Sequence, residues 1–147
     1  MVQLRRAERR YRLSTRDYSR LAAFRFALRS FLRFSEDAAA GVGLSGQHYQ
    51  ALLVVRACPE DRRLTINDLA RQLLIKHNSA VELVDRLSRQ GLLVREPSVA
   101  DRRKVELQLT SHGRDVLADL AAMHRHELQR VGPMLKRFFA ELSRRPD

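Results

Sequence analysis

The chain holds a single cysteine, Cys58, so no disulfide can close within it, and a lone thiol fits a reducing compartment. Cys58 sits beside Pro59 at the end of a helical pattern with no second cysteine to resolve it, so it reads as a structural thiol rather than a peroxide sensor. Long apolar runs are also missing. The longest uncharged stretch, residues 38–55, is interrupted by Gly41, Gly43, Ser45, Gly46, Gln47, His48 and Gln50, which excludes a membrane span. The N-terminus lacks the apolar core of a signal peptide. The expectation is a soluble, cytoplasmic protein with no membrane partner. Catalytic signatures are absent too: there is no glycine-rich phosphate loop, no nucleophile elbow and no pair of carboxylates on a strand scaffold, so an enzyme is not expected. His124 and His126 are two apart and fall on different helix faces, and no Cys/His/Glu cluster has ligand spacing, so no metal or other cofactor is expected.

What is present is positive charge. Lysine is scarce (Lys76, Lys104 and Lys136), yet the formal net charge is +11 and the pI about 11.2, because arginine carries the excess. Such a surplus points to a polyanionic partner, nucleic acid before an anionic membrane, with a merely solvated basic surface as the plainer alternative. At 147 residues and 44% hydrophobic content the chain can build one domain with its own core. No internal repeat or low-complexity linker divides it.

The organising stretch runs from Leu64 to Leu109. Thr65 precedes an amphipathic run with Leu69, Ala70 and Leu73 on one stripe, and Asp68 three residues on suits a capping box. The joint Leu74-Ile75-Lys76 leads to a second helix over about residues 77–90, with Ala80, Leu83, Val84 and Leu87 inward and Gly91 at the left-handed stop position. The period then changes from 3.6 to 2. Val105, Leu107 and Leu109 alternate with Lys104, Glu106 and Gln108 as a half-buried strand, and Leu92-Leu93-Val94 offers its partner. Crossed helices followed by a hairpin make a winged helix-turn-helix.

Five pieces, Leu69-Ala70, Val84-Asp85-Arg86-Leu87, Gly91-Leu92-Leu93, Asp101-Arg102-Arg103 and Leu109-Thr110-Ser111-His112-Gly113, appear in an order and spacing that resembles the MarR family of bacterial transcription regulators. The fold class expected is therefore mainly α with a small β-hairpin, a winged helix-turn-helix flanked by N- and C-terminal dimerisation helices.

The flanks read accordingly. Residues 1–13 form a basic arm with Arg5, Arg6, Arg9, Arg10 and Arg12 against Glu8; it suits a flexible phosphate-touching arm or a frayed helical lead-in, a transit peptide being remote. Residues 14–58 hold two helices. The first, 15–40, carries Leu21, Phe24, Leu28, Phe31 and Leu32 on one stripe, Arg25, Arg29 and Arg33 on another, and Phe26 and Phe34 between, more apolar surface than one packing partner covers. The second runs from about Gly46 to Cys58. Residues 110–144 hold the last helices, with a break expected at Gly132-Pro133.

In a helix-turn-helix the second helix enters the DNA major groove, N-terminal residues nearest the bases. Lys76, His77, Asn78 and Ser79 stand there, and Asn78, Glu82 and Arg86 share a face, with Arg86 and Arg89 able to reach phosphate or guanine. Glu82 repels phosphate unless it accepts from a cytosine amine or pairs with Arg86. Asp101, Arg102, Arg103 and Lys104 place three cations and one anion at the hairpin tip, suited to a narrow minor groove. The resemblance implies that Arg103 enters that groove, braced at its guanidinium by Asp101, and that the protein binds double-stranded DNA as a homodimer through its first and last helices. It also implies a small, commonly aromatic or phenolic effector between those helices and the winged unit, with Phe24, Arg25, Leu28, His48, Tyr49 and Arg56 as candidate lining. The rival readings are a low-specificity architectural DNA-binding protein and a winged-helix protein-interaction module.

Overall fold

The structure, a computed structural model, describes residues 13–59 and 61–143. The expected basic arm therefore lies outside the described residues but for Leu13. The elements in order are α1 (Thr15–Ala40), α2 (Gly46–Ala57), β1 (Leu64–Thr65), α3 (Ile66–Leu73), α4 (His77–Arg89), β2 (Leu93–Pro97), β3 (Val105–Leu109) and α5 (Ser111–Leu142). They fall into two compact units, one of residues 33–126 and the other of the described parts of 1–32 and 127–147.

In the larger unit the core is mostly aliphatic, and its largest fully buried side chains are Leu52, Leu69, Leu87, Leu93, Leu120 and Val84. Each such side chain contributes about 1.5–3 kcal/mol by leaving water. α3 begins as its sequence dictates. Thr65 Oγ1 accepts the Asp68 N–H at 3.2 Å, while the Asp68 carboxylate accepts the Thr65 N–H at 3.1 Å, closing the capping box. α4 ends at Gly91, whose φ of +69° is the left-handed conformation expected there.

β2 and β3 form the antiparallel hairpin, paired from Leu93↔Leu109 to Pro97↔Val105. A third strand, β1, adds to its other side through Leu64↔Leu107 and Thr65↔Glu106, giving the order β1-β3-β2. Two residues are too few to show a period, so this strand has no sequence signal. It has a chemical consequence. Glu106 was expected on the solvent side of an alternating strand, yet only 7% of it is exposed. Glu96 lies directly opposite it, a like-charge pair that would destabilise the hairpin. The Arg63 guanidinium lies 3.4 Å from the Glu106 carboxylate and 3.5 Å from that of Glu96, and so offsets the repulsion.

The start of α5 is tied to the end of α4. The Thr110 hydroxyl donates to the Gly91 carbonyl at 2.6 Å and accepts the Gly113 N–H at 2.9 Å. Gly113 approaches the chain so closely that a Cβ there would lie 1.9 Å from the Leu92 carbonyl oxygen.

The expected break at Gly132-Pro133 does not occur: α5 continues through Pro133 to Leu142. Proline removes one hydrogen bond of the ladder, the one that would reach the Gln129 carbonyl. Val131, Leu135 and Phe138, at i, i+4 and i+7, keep one half-buried stripe in register across it, and tertiary packing outweighs the local penalty. In the smaller unit Phe24 stacks on Phe138 with ring centroids 4.9 Å apart and meets the edge of Phe139 at 5.6 Å, and Arg20 pairs with Glu141 at 3.1 Å. Of the expected α1 stripe, Phe24 and Phe31 are half-buried, whereas Leu21, Leu28 and Leu32 are exposed, as is Phe26 at 74%.

Candidate nucleic-acid interface

α3 and α4 are joined by Leu74, Ile75 and Lys76, which brings the first turn of α4 to the surface. Lys76 is the N-cap, and unlike Ser45 and Thr65, the caps of α2 and α3, it makes no side-chain cap bond. A lysine side chain has no acceptor to offer. The first N–H groups of α4 are thus left without a side-chain partner, and the dipole adds positive potential there, which suits a phosphate. His77, Asn78 and Ser79 are exposed on this turn, and Glu82, Arg86 and Arg89 are exposed further along the helix. The opposite face, Ala80, Leu83, Val84 and Leu87, is buried.

No Glu82–Arg86 ion pair forms among the described residues. Instead Asp85 pairs with Arg95 of β2, whose guanidinium also donates to the Val81 carbonyl at 3.3 Å. This clamp ties the side of α4 to the wing strand. Sequence reasoning missed it, because Asp85 and Arg95 meet only once the hairpin folds back.

The wing loop is closed by its backbone. The Ser98 N–H donates to the Lys104 carbonyl and the Lys104 N–H to the Asp101 carbonyl, both at 2.9 Å. Asp101 does not grip the Arg103 guanidinium; its carboxylate accepts the Arg103 backbone N–H at 3.0 Å. A short acidic side chain folds onto the backbone two residues ahead more readily than it reaches a long flexible one. The brace expected from the resemblance is therefore on the loop, not on the guanidinium. Arg102, Arg103 and Lys104 are exposed and carry no ion pair among the described residues.

The six residues considered for an effector are spread over both units. Phe24, Arg25 and Leu28 belong to the smaller one, where Phe24 stacks on Phe138 and the other two are exposed. In the larger unit Arg56 is exposed, and His48 and Tyr49 are core residues. His48 Nδ1 accepts the Ser45 N–H at 3.0 Å, so the ring takes the place of the usual glutamate or glutamine in the capping box of α2. Its Nε2 is buried without a hydrogen-bond partner among the described residues. Burial first and the Arg86 charge second hold the His48 pKa below the ordinary 6.5, against the opposing pull of Glu36. Tyr49 stacks on His124 at 3.9 Å, and burial pushes its phenol pKa up. His124, whose Nε2 lies 2.8 Å from Ser35 Oγ, is buried, while His126 is exposed.

Residues 42–104, which contain α2 to β2 and the wing loop, match the family model described as the MarR family. Over that segment the winged unit is similar to the MarR family. The chain is 28% identical over 92 residues to the HTH-type transcriptional repressor YetL of Bacillus subtilis, covering 63% of this chain and 54% of that protein. It is 34% identical over 67 residues to the HTH-type transcriptional regulator FarR of Neisseria gonorrhoeae, covering 46% of each. The matched segments thus span about half the length of these curated relatives. Among solved structures, the transcriptional repressor CouR bound to a 23-mer DNA duplex is 26% identical with a TM-score of 0.67, covering 91% of this chain and 100% of that one. MepR, a transcription regulator of a Staphylococcus aureus multidrug efflux pump, shares the fold at 17% identity, with a TM-score of 0.71 over 82% of this chain and 91% of its own. The MarR-type unit explains why the five short motifs keep their spacing: they form the helix crossing, the Gly91 stop, the wing tip and the Thr110–Gly113 tie.

Proposed function

We propose that the chain is a DNA-binding transcription regulator, a repressor that acts as a homodimer on a pseudo-palindromic operator and blocks polymerase there. The observation that carries this reading is the exposed first turn of α4. It presents hydrogen-bonding side chains and backbone N–H groups that no side chain caps, on the same winged unit as a hairpin tip with three cations. Repression is supported by the likeness to YetL and CouR, both transcriptional repressors. Release by a small aromatic effector belongs to the same proposal, as does residence in the cytoplasm.

Two-fold symmetry requires half-sites about one helical turn, or about 10 bp, apart. Arg103→Ala should weaken operator binding by about tenfold or more, the loss of one desolvated cation–DNA contact, with the thermal midpoint unchanged. Fluorescence anisotropy with labelled DNA measures the first and calorimetry the second. Affinity within twofold of wild type would remove the wing from the interface.

The net charge of +11 favours a second reading, an architectural DNA-binding protein of low specificity. A regulator should hold its operator about a thousandfold tighter than random duplex at one salt concentration. Selection from random DNA followed by competition measures that ratio, and a ratio near one selects the architectural reading.

A further inference from the structure

We propose that a cleft between α2, β1 and α3, within the winged unit and apart from α4, binds a small organic anion with an apolar body. The cleft has a volume of about 670 Å³, in the range of small-molecule sites. Val54, Leu64 and Leu74 supply an apolar lining, and Arg62 is the cation available to a ligand. Arg71, also on the lining, is already neutralised by Asp68, whereas Arg62 has no ion pair among the described residues. An anionic head therefore belongs at Arg62, with the apolar body against the lining.

A second observation, independent of the volume, comes from Leu74. Its backbone is left-handed, with φ 55° and ψ 40°, and its side chain is 92% exposed. Left-handed backbone is unfavourable for a residue with a Cβ, and glycine would relieve it. Leu74 is the C-cap of α3, its N–H bonded to the Ala70 and Arg71 carbonyls, and this cap holds an exposed apolar side chain at the cleft, where an apolar occupant would cover it. Leu74 also opens the joint that leads to His77. An occupant would therefore shift the first turn of α4, and this consequence, though not the binding itself, rests on the DNA-binding reading.

The test uses the whole chain with 1-anilinonaphthalene-8-sulfonate as probe. N-phenyl-1-naphthylamine, the same rings without the sulfonate, is the comparison. Cys58, the only cysteine, lines the cleft, so its alkylation by N-ethylmaleimide reports occupancy. The sulfonate should slow alkylation by about fivefold or more, the neutral amine less. Arg62→Ala should weaken the sulfonate by about tenfold, as loss of a charge-assisted hydrogen bond does. Leu74→Gly should weaken it as well while raising the thermal midpoint by about 2–4 °C. Alkylation unchanged within twofold at saturating dye places the dye elsewhere and overturns the proposal, as does equal affinity in Arg62→Ala and wild type. Operator binding is measured on the same samples. A chain that binds DNA but leaves Cys58 unprotected sinks the cleft alone, and one that protects Cys58 but binds no DNA sinks only the regulatory reading.

Discussion

A histidine in the place of glutamate makes the start of α2 titratable. His48 Nδ1 accepts the Ser45 N–H only while it is unprotonated, and protonation would leave a buried cation facing Arg86. Because the folded pKa lies below the unfolded 6.5, the stabilising contribution is complete above pH 6.5 and is lost as pH falls through the folded value. The thermal midpoint of wild type should therefore drop further between pH 7.5 and pH 5 than that of His48→Gln, whose amide oxygen accepts the same N–H without titrating. Equal drops in the two proteins would show that His48 does not couple to folding. At this scale the sequence was a partial guide. Thr65 and Asp68 are close in the chain and their bond was legible. The Asp85–Arg95 clamp joins residues ten apart across a fold, and the Arg63 contacts with Glu96 and Glu106 span more than thirty. Asp101 was expected on the Arg103 guanidinium, and its carboxylate instead accepts the Arg103 backbone N–H.

Among the elements, the tie between Gly91 and α5 is the least tolerant of change. Gly113→Ala forces a carbon into the Leu92 carbonyl oxygen, which backbone movement must relieve. It should cost about 1–3 kcal/mol or more, by the usual cost of overpacking, read as a lower midpoint in urea. An unchanged midpoint would mean that the α5 start moves freely from β2. The helices and the hairpin were legible because period and punctuation are local properties: the 3.6 pattern of α3 and α4, the switch to period 2, and glycine at the stop. β1 was not, since its two residues become a strand only through β3. The end of α4, read from Gly91, was found, whereas the break read from Pro133 was not, because a proline's cost is fixed while the packing that offsets it is not visible locally.

For the whole molecule, the exposed apolar side chains of the smaller unit are the main question. Phe26, Leu32 and Phe139 are each more than half exposed, and clusters of this kind mark contact surfaces. The proposed homodimer would cover them. Phe26→Asp should convert the dimer to a monomer without touching the Phe24–Phe138 stack, and light scattering that still reports dimer mass would place the interface elsewhere. The surplus apolar surface of the first helix was visible in its sequence, but which side chains pack within the chain was not. Composition also bears on the proposed DNA affinity: with arginines on α4 and the wing, the logarithm of the binding constant should fall with the logarithm of salt by about 0.9 per phosphate neutralised. A slope near zero would rule out DNA as the partner of this charge.

The unbroken course of α5 through Pro133 leaves the Gln129 carbonyl without its usual amide partner. Water can reach that oxygen transiently, so deuterium uptake should start near the proline and spread outward, and the flanking turns should hold their protons longer. A peptide map of exchange over minutes would then show the last helix opening first in its interior.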